Sequence, residues 1–101
     1  MFARHIITQV RKDKLDEALK IYEESVIPEG KNQQGYRGIY LLTNKESGRI
    51  VSISLWDTER DAISNEDESY LEKQIAKFNG MLLSPPVKEE FDVAIMLAKP
   101  K

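Results

Sequence analysis

The stretch GYRGIYLLTNKESGRIVSISLWDT, residues 35–58, decides the fold. Two runs rich in β-branched, aliphatic and aromatic residues flank a polar, glycine-ended connector from Asn44 to Gly48, the pattern of a long β-hairpin. Thr58 followed by Asp61 then resembles a helix-capping pair. In the second run Val51, Ile53 and Leu55 alternate with Ser52, Ser54 and Trp56. One face therefore asks for a hydrophobic core, while the other presents two hydroxyls beside an indole. A solvent-facing strand would more usually carry Lys, Glu or Thr, so the second face reads as the wall of a partly enclosed space. Ser52, Ser54 and Trp56 are expected to point away from the helices. A one-residue shift would place two serine hydroxyls in the helix-packed core, at about 1–3 kcal/mol each if unpaired.

Working outward, Ala3 to Arg11 mixes β-branched and polar residues as a first strand. Lys12-Asp13-Lys14 turns it into a helix with Asp13 as N-cap and Asp16 and Glu17 in the first turn. Leu15, Ala18, Leu19, Tyr22 and Val26 recur at helical spacing until Pro28 and Gly30 kink or restart the helix. After the hairpin, capping pairs at Thr58/Asp61 and Asn65/Glu68 predict a second helical region in two pieces, with Leu71, Ile75 and Phe78 on one face. Gly80 and Pro85-Pro86 close it. A last strand is predicted over Val87 to Ala98, in which Phe91, Val93, Ile95 and Leu97 alternate with Asp92, Ala94, Met96 and Ala98.

This βαββαβ order predicts one ferredoxin-like α+β domain over residues 1–101, a four-stranded antiparallel sheet with two helices on one face. If the aliphatic sets meet the helices, the opposite face collects Ser52, Ser54 and Trp56, one of Tyr40 or Leu42, and Ala94 with Met96. That face is too apolar to leave in water, and a second copy packed across it would make a homodimer through sheet faces with a cavity among the small residues.

Lys and Arg number 15 against 17 Asp and Glu, and the net charge of −2 offers no attraction to nucleic acid or an anionic membrane. No run resembles a signal peptide or a membrane span, so cytoplasmic residence is expected. The chain has no cysteine, which removes disulfides, thiolate nucleophiles and zinc–cysteine sites. His5 is the only imidazole, and any histidine acid/base step must use it; alternating with Ala3 and Ile7 on an apolar strand, such a residue is more often a hydrogen-bonded, half-buried one. Glu66-Asp67-Glu68 reads as a solvated helix start, and no metal site is expected. Ser52 and Ser54 lack a nucleophile context, and Gly35 and Gly38 lack the strand-to-helix turn of a phosphate loop. Flavin and nicotinamide binding have no basis in the sequence.

The Gly35-Tyr36-Arg37-Gly38 motif, the Gly48 hairpin, Leu55-Trp56-Asp57-Thr58, Leu15-Asp16-Glu17-Ala18 and Pro85-Pro86 resemble the antibiotic-biosynthesis-monooxygenase-like members of the dimeric α+β barrel superfamily. The resemblance runs from Ala3 to Ala98. It implies a dimeric α+β barrel and a cofactor-independent monooxygenase acting on a small aromatic, quinol or polyketide-like, in a dimer cavity. The alternative it leaves open is a non-catalytic dimeric ligand-binding or stress-associated domain. Trp56 matches the tryptophan that commonly ends the third strand in the family and would stack on the ligand, with Ser52, Ser54 and Tyr40 beside it. His5 and Tyr70 are the candidates for catalysis, and Tyr22 and Tyr36 could also donate phenolic hydrogen bonds. Arg4 and Asn79 are further polar candidates without a motif. Haem-degrading relatives carry a proximal histidine on the second long helix, and Glu59 to Asn79 has none; no cofactor is expected.

Overall fold

The computed structural model describes residues 1–67 and 70–99. Strand β1 (Phe2–Gln9) runs through a short 3-10 turn (Lys12–Lys14) into helix α1 (Leu15–Ile21). A π-helical segment (Tyr22–Val26) joins α1 to the short helix α2 (Ile27–Gly30). The hairpin follows as β2 (Tyr36–Asn44) and β3 (Arg49–Trp56), then α3 (Glu59–Asp67), α4 (Tyr70–Ala76) and β4 (Val87–Asp92). The strands form one antiparallel sheet in the order β2-β3-β1-β4, so β1 and β3, consecutive neither to each other nor to a hairpin partner on both sides, occupy the centre. The α+β ferredoxin-like architecture is as the sequence predicts. No helix among the described residues is long and apolar enough to cross a membrane.

Local chemistry explains the elements and two departures from expectation. Gly48 closes the hairpin at φ 78°, with its N–H on the Asn44 carbonyl at 2.8 Å and the Asn44 side chain accepting from Glu46 and Ser47. Asp13 does not cap α1: it lies within the 3-10 turn and pairs with Arg11, and the helix starts after Lys14 without a side-chain cap. Pro28 sits in the first turn of α2 and has no N–H to give to the carbonyl four residues back, and the chain meets it through the π segment rather than a clean break. Thr58 caps α3, its Oγ1 accepting from the Asp61 N–H at 3.1 Å. The second helical region is described as α3 and α4 on either side of residues 68–69, and the predicted division at the Asn65/Glu68 cap lies outside the described residues. The last strand stops at Asp92, and residues 93–99 adopt no regular element, Val93 still reaching the Met1 carbonyl at 2.9 Å.

Register corrects the assignment of faces. Phe2 pairs with Trp56, Arg4 with Ser54, Ile6 with Ser52 and Thr8 with Ile50, and this set lies under the helices. Ala3, His5 and Ile7 pair with Leu55, Ile53 and Val51 on the opposite face, together with Phe91. Ser52, Ser54 and Trp56 thus face the helices, contrary to expectation. The penalty argued against that arrangement does not arise, because the hydroxyls are paired. Trp56 Nε1 donates to Ser54 Oγ at 3.0 Å, Ser54 Oγ lies 3.5 Å from the Arg4 carbonyl, and Ser52 is hydrogen-bonded to Tyr22. The indole, 2% exposed, gains more from burial than any of the aliphatic side chains turned outward.

The outer face carries Tyr40, Leu42, Val87 and Phe91, each about half exposed or more, around the partly covered Val51, Ile53 and Leu55. The expected composition of this face therefore fails for the serines and the tryptophan, and Phe91 joins it instead of the core. Its apolar character remains.

Candidate functional site

Between the sheet and the helices the core divides into two clusters. Val10, Leu15, Ala18, Tyr22, Ile50 and Phe78 pack at one end of the central strands, and Phe2, Trp56 and Ala62 with Tyr36 at the other. The middle of β1 and β3 offers Arg4, Ile6, Thr8, Ser52 and Ser54, and the two serines fill little of the space beneath the helices. A cavity of about 70 Å³ lies there. Leu71, Ile75 and Phe78, expected on one helix face, line it together with Gln74 and Tyr70.

A bulge between Tyr36 and Gly38 sets the wall on the β2 side. Tyr36 faces Trp56 and, two pairs on, Ile39 faces Ser54, so a tyrosine and an isoleucine of opposite parity both reach the cavity. Gly38 takes φ 151° at this point, open to glycine. At Gly30, a Cβ would stand 3.5 Å from both the Tyr70 hydroxyl oxygen and Tyr36 Cε2, and the absent side chain leaves room where these two rings converge.

The polar groups have defined partners. Trp56 carries the Arg4 guanidinium 5.1 Å from its ring centroid and the edge of Tyr36 at 5.8 Å. Arg4 is buried and donates from Nη1 to the Ala62 carbonyl at 3.0 Å. Burial pushes the Tyr22 phenol above its ordinary value, against the pull of its hydrogen bonds to Ser52 and Thr8. Burial raises Tyr36 and Tyr70 as well, with Glu29 adding to the rise at Tyr70 and Arg4 opposing it. All three phenols are therefore protonated donors at neutral pH.

Gln74 lies on the inner face of α4, buried, and is held from outside. Its Nε2 donates to Glu29 Oε2 at 2.7 Å, and Lys77 binds the same carboxylate while donating to Ser25 at 2.7 Å. Its Oε1 is buried with no hydrogen-bond partner among the described residues.

Of the candidate residues, Trp56, Ser52, Ser54 and Tyr70 come together at this cavity, which is within one chain rather than between two sheets. The ligand role argued for Trp56 from an inter-sheet space falls with that space; its place in the wall of the intrachain cavity is a separate observation. Tyr40 does not join them. It pairs with Ile53 on the outer face and is 56% exposed. His5 is on that outer face too, half-buried against the edge of Phe91 at 6.1 Å, because its strand position alternates with Arg4. Asn79 is exposed beyond α4. Gln74, Thr8 and Ile6 were not read as site residues. A polar amide flanked by Leu71, Ile75 and Phe78 on an otherwise apolar helix face was the available signal for Gln74.

The chain shares its fold with solved structures described as antibiotic biosynthesis monooxygenases. A monooxygenase from the gene ActVA-Orf6 of Streptomyces coelicolor, solved with nanaomycin D, superposes with a TM-score of 0.76 over 98% of this chain and 92% of its own, at 11% identity. SnoaB, a cofactor-independent oxygenase from Streptomyces nogalater, gives 0.73 over 97% of both chains at 10% identity. Rv0793 from Mycobacterium tuberculosis gives 0.72 over 96% and 98% at 16% identity. Such identities establish shared fold and no more. No protein-family model matches the sequence. The uncharacterized protein Rv2557 of Mycobacterium tuberculosis (strain ATCC 25618 / H37Rv) is 27% identical over 97 residues, which are 95% of this chain and 42% of that protein. The chain thus spans less than half the length of the curated relative.

Proposed function

We propose that this chain is an antibiotic-biosynthesis-monooxygenase-like protein and oxidises a small electron-rich aromatic, a quinol or polyketide-like compound, without a prosthetic group, in the cavity under Trp56. The observation that carries this reading is a partly enclosed cavity walled by Trp56, Tyr22, Tyr36 and Tyr70 within a fold shared with monooxygenases. In the reaction the substrate loses a proton, from the CH2 of an anthrone or from a hydroxyl of a hydroquinone, and the resulting anion passes one electron to dioxygen. The radical pair joins as a C–O–O bond at a ring carbon that still bears one hydrogen; loss of that proton with O–O cleavage leaves a carbonyl and water. The protein's part is to orient the ring, exclude bulk water and offer phenolic O–H groups to the developing oxyanion. No carboxylate or imidazole lies among the described residues lining the cavity. The first proton must therefore pass to solvent before the cavity closes on the ring, which favours anthrones and hydroquinones, whose anions are stabilised by delocalisation.

The volume bears on size. About 150 Å³ accommodates a benzene ring in a preformed apolar cavity, and the 70 Å³ here admits a ring only as Tyr36 and Tyr70, both partly exposed, give way. The functional unit in this reading is a homodimer whose partner covers the apolar outer face, with Tyr40, Leu42, Ile53 and Phe91 in the interface rather than the site.

The absence of an internal base among those lining residues favours a second reading, a dimeric ligand-binding or stress-associated domain without chemistry. Oxygen uptake with a panel of hydroquinones and anthrones, compared between the wild type and Trp56→Phe, separates the two. Uptake above the spontaneous rate that falls in the variant supports the oxygenase; binding without uptake supports the second reading.

A further inference from the structure

Gln74 is the one residue of the cavity wall, among those described, whose side chain is left with a buried unpaired acceptor. A carboxylate at neutral pH only accepts hydrogen bonds, so the Glu29 contact fixes the amide with its nitrogen toward Glu29 and its oxygen away. Glu29 lies outside the cavity and Gln74 lines it, and the second grip of Lys77 on Glu29 anchors this arrangement from the surface. An amide that cannot turn over is a selective group: a ligand with an O–H or N–H satisfies Oε1, and a ligand offering only a carbonyl or ether oxygen meets a like acceptor.

We propose, building on the cavity as the ligand site, that Gln74 is a specificity-determining residue that accepts a hydrogen bond from the ligand, so that the cavity takes hydroxylated, reduced aromatics in preference to their ethers and carbonyl analogues. Glu29 is a positioning residue, acting through Gln74. For an oxygenase of the kind proposed, this favours the reduced hydroxyl form over the carbonyl product, which aids release.

The test measures affinities of phenol, anisole and benzaldehyde by calorimetry, with quenching of the sole tryptophan, Trp56, reporting occupancy of the cavity. Wild-type protein should prefer phenol to anisole and to benzaldehyde by about tenfold or more, the factor that 1.4 kcal/mol of differential binding gives. Gln74→Met should abolish the preference by weakening phenol alone. Glu29→Ala, a change at an exposed side chain, frees the amide to turn its N–H inward, and benzaldehyde should gain on phenol to within about threefold. If Gln74→Met fails to fold, the donor-to-acceptor shift in Glu29→Ala decides. Rings that quench Trp56 with no preference for the hydroxyl, or a preference that survives both variants, would overturn the role of Gln74 while leaving the cavity as the ligand site. No quenching by any of the three rings would overturn both.

Discussion

Replacing Trp56 by phenylalanine tests the face assignment on which the site depends. The indole is 2% exposed, donates to Ser54 Oγ at 3.0 Å and lies under the Arg4 guanidinium at 5.1 Å. Loss of the hydrogen bond costs about 1 kcal/mol net. A smaller ring vacates roughly 40 Å³, and at about 24 cal/mol per Å³ an unrelaxed void adds about 1 kcal/mol. The cation–π contact weakens without vanishing, for a further few tenths of about 1–2 kcal/mol. The sum is roughly 2–3 kcal/mol, a large part of the about 5–15 kcal/mol that a domain of this kind possesses. Urea unfolding followed by circular dichroism, at one protein concentration so that association contributes equally, reads this directly. A loss below about 0.5 kcal/mol, the range of ordinary surface substitutions, would mean that the indole is not in the core and that the helix-facing assignment of Ser52, Ser54 and Trp56 is wrong.

Light scattering should return twice the 11.6 kDa chain mass at micromolar concentration, and Ile53→Lys, at the centre of the outer face, should give monomers because an unpartnered charge would be buried between sheets. Gly48→Ala should cost more than about 2 kcal/mol, since φ is 78° and the new Cβ would clash with the Val10 carbonyl oxygen; a neutral result in urea unfolding would refute the turn geometry. Tyr22→Phe strands Ser52 and Thr8 and should destabilise by about 1–3 kcal/mol, read as a lower midpoint in urea. Hydrogen bonds from Lys77, then Gln74, hold Glu29 below the usual carboxylate range. Its contribution is therefore complete above the unfolded carboxylate value and is lost as pH falls through the lower, folded one. A titration of Glu29 by NMR showing an unshifted or raised value would contradict the network.

The element order was legible because alternation, capping residues and Pro/Gly punctuation are local signals. The face of the sheet that meets the helices was not. In β3 both parities are compatible with burial, and the deciding facts are distant in sequence: Ser52 is satisfied by Tyr22, 30 positions away, and Ser54 lies against the carbonyl of Arg4, 50 positions away. Counting hydroxyls as unpaired inverted the answer. The same inversion moved Tyr40 and His5 out of the site, while Tyr70 reached it because helix periodicity does not depend on the sheet's parity. The end of β4 was overrun because Val93 to Ala98 continues to alternate, although its pairing with β1 ends at the pair Phe2 and Asp92.

In β1 and β3 even-numbered residues reach the cavity layer and odd-numbered ones the outer face, one residue's thickness apart. A combinatorial library that varies Arg4, Ile6, Thr8, Ser52 and Ser54 would remodel the cavity without touching the outer face. Varying His5, Ile7, Val51, Ile53 and Leu55 would do the reverse. Selection can thus act on two traits through one pair of strands, and the traits remain separable so long as neither backbone slips by a single residue, a slip that would exchange them.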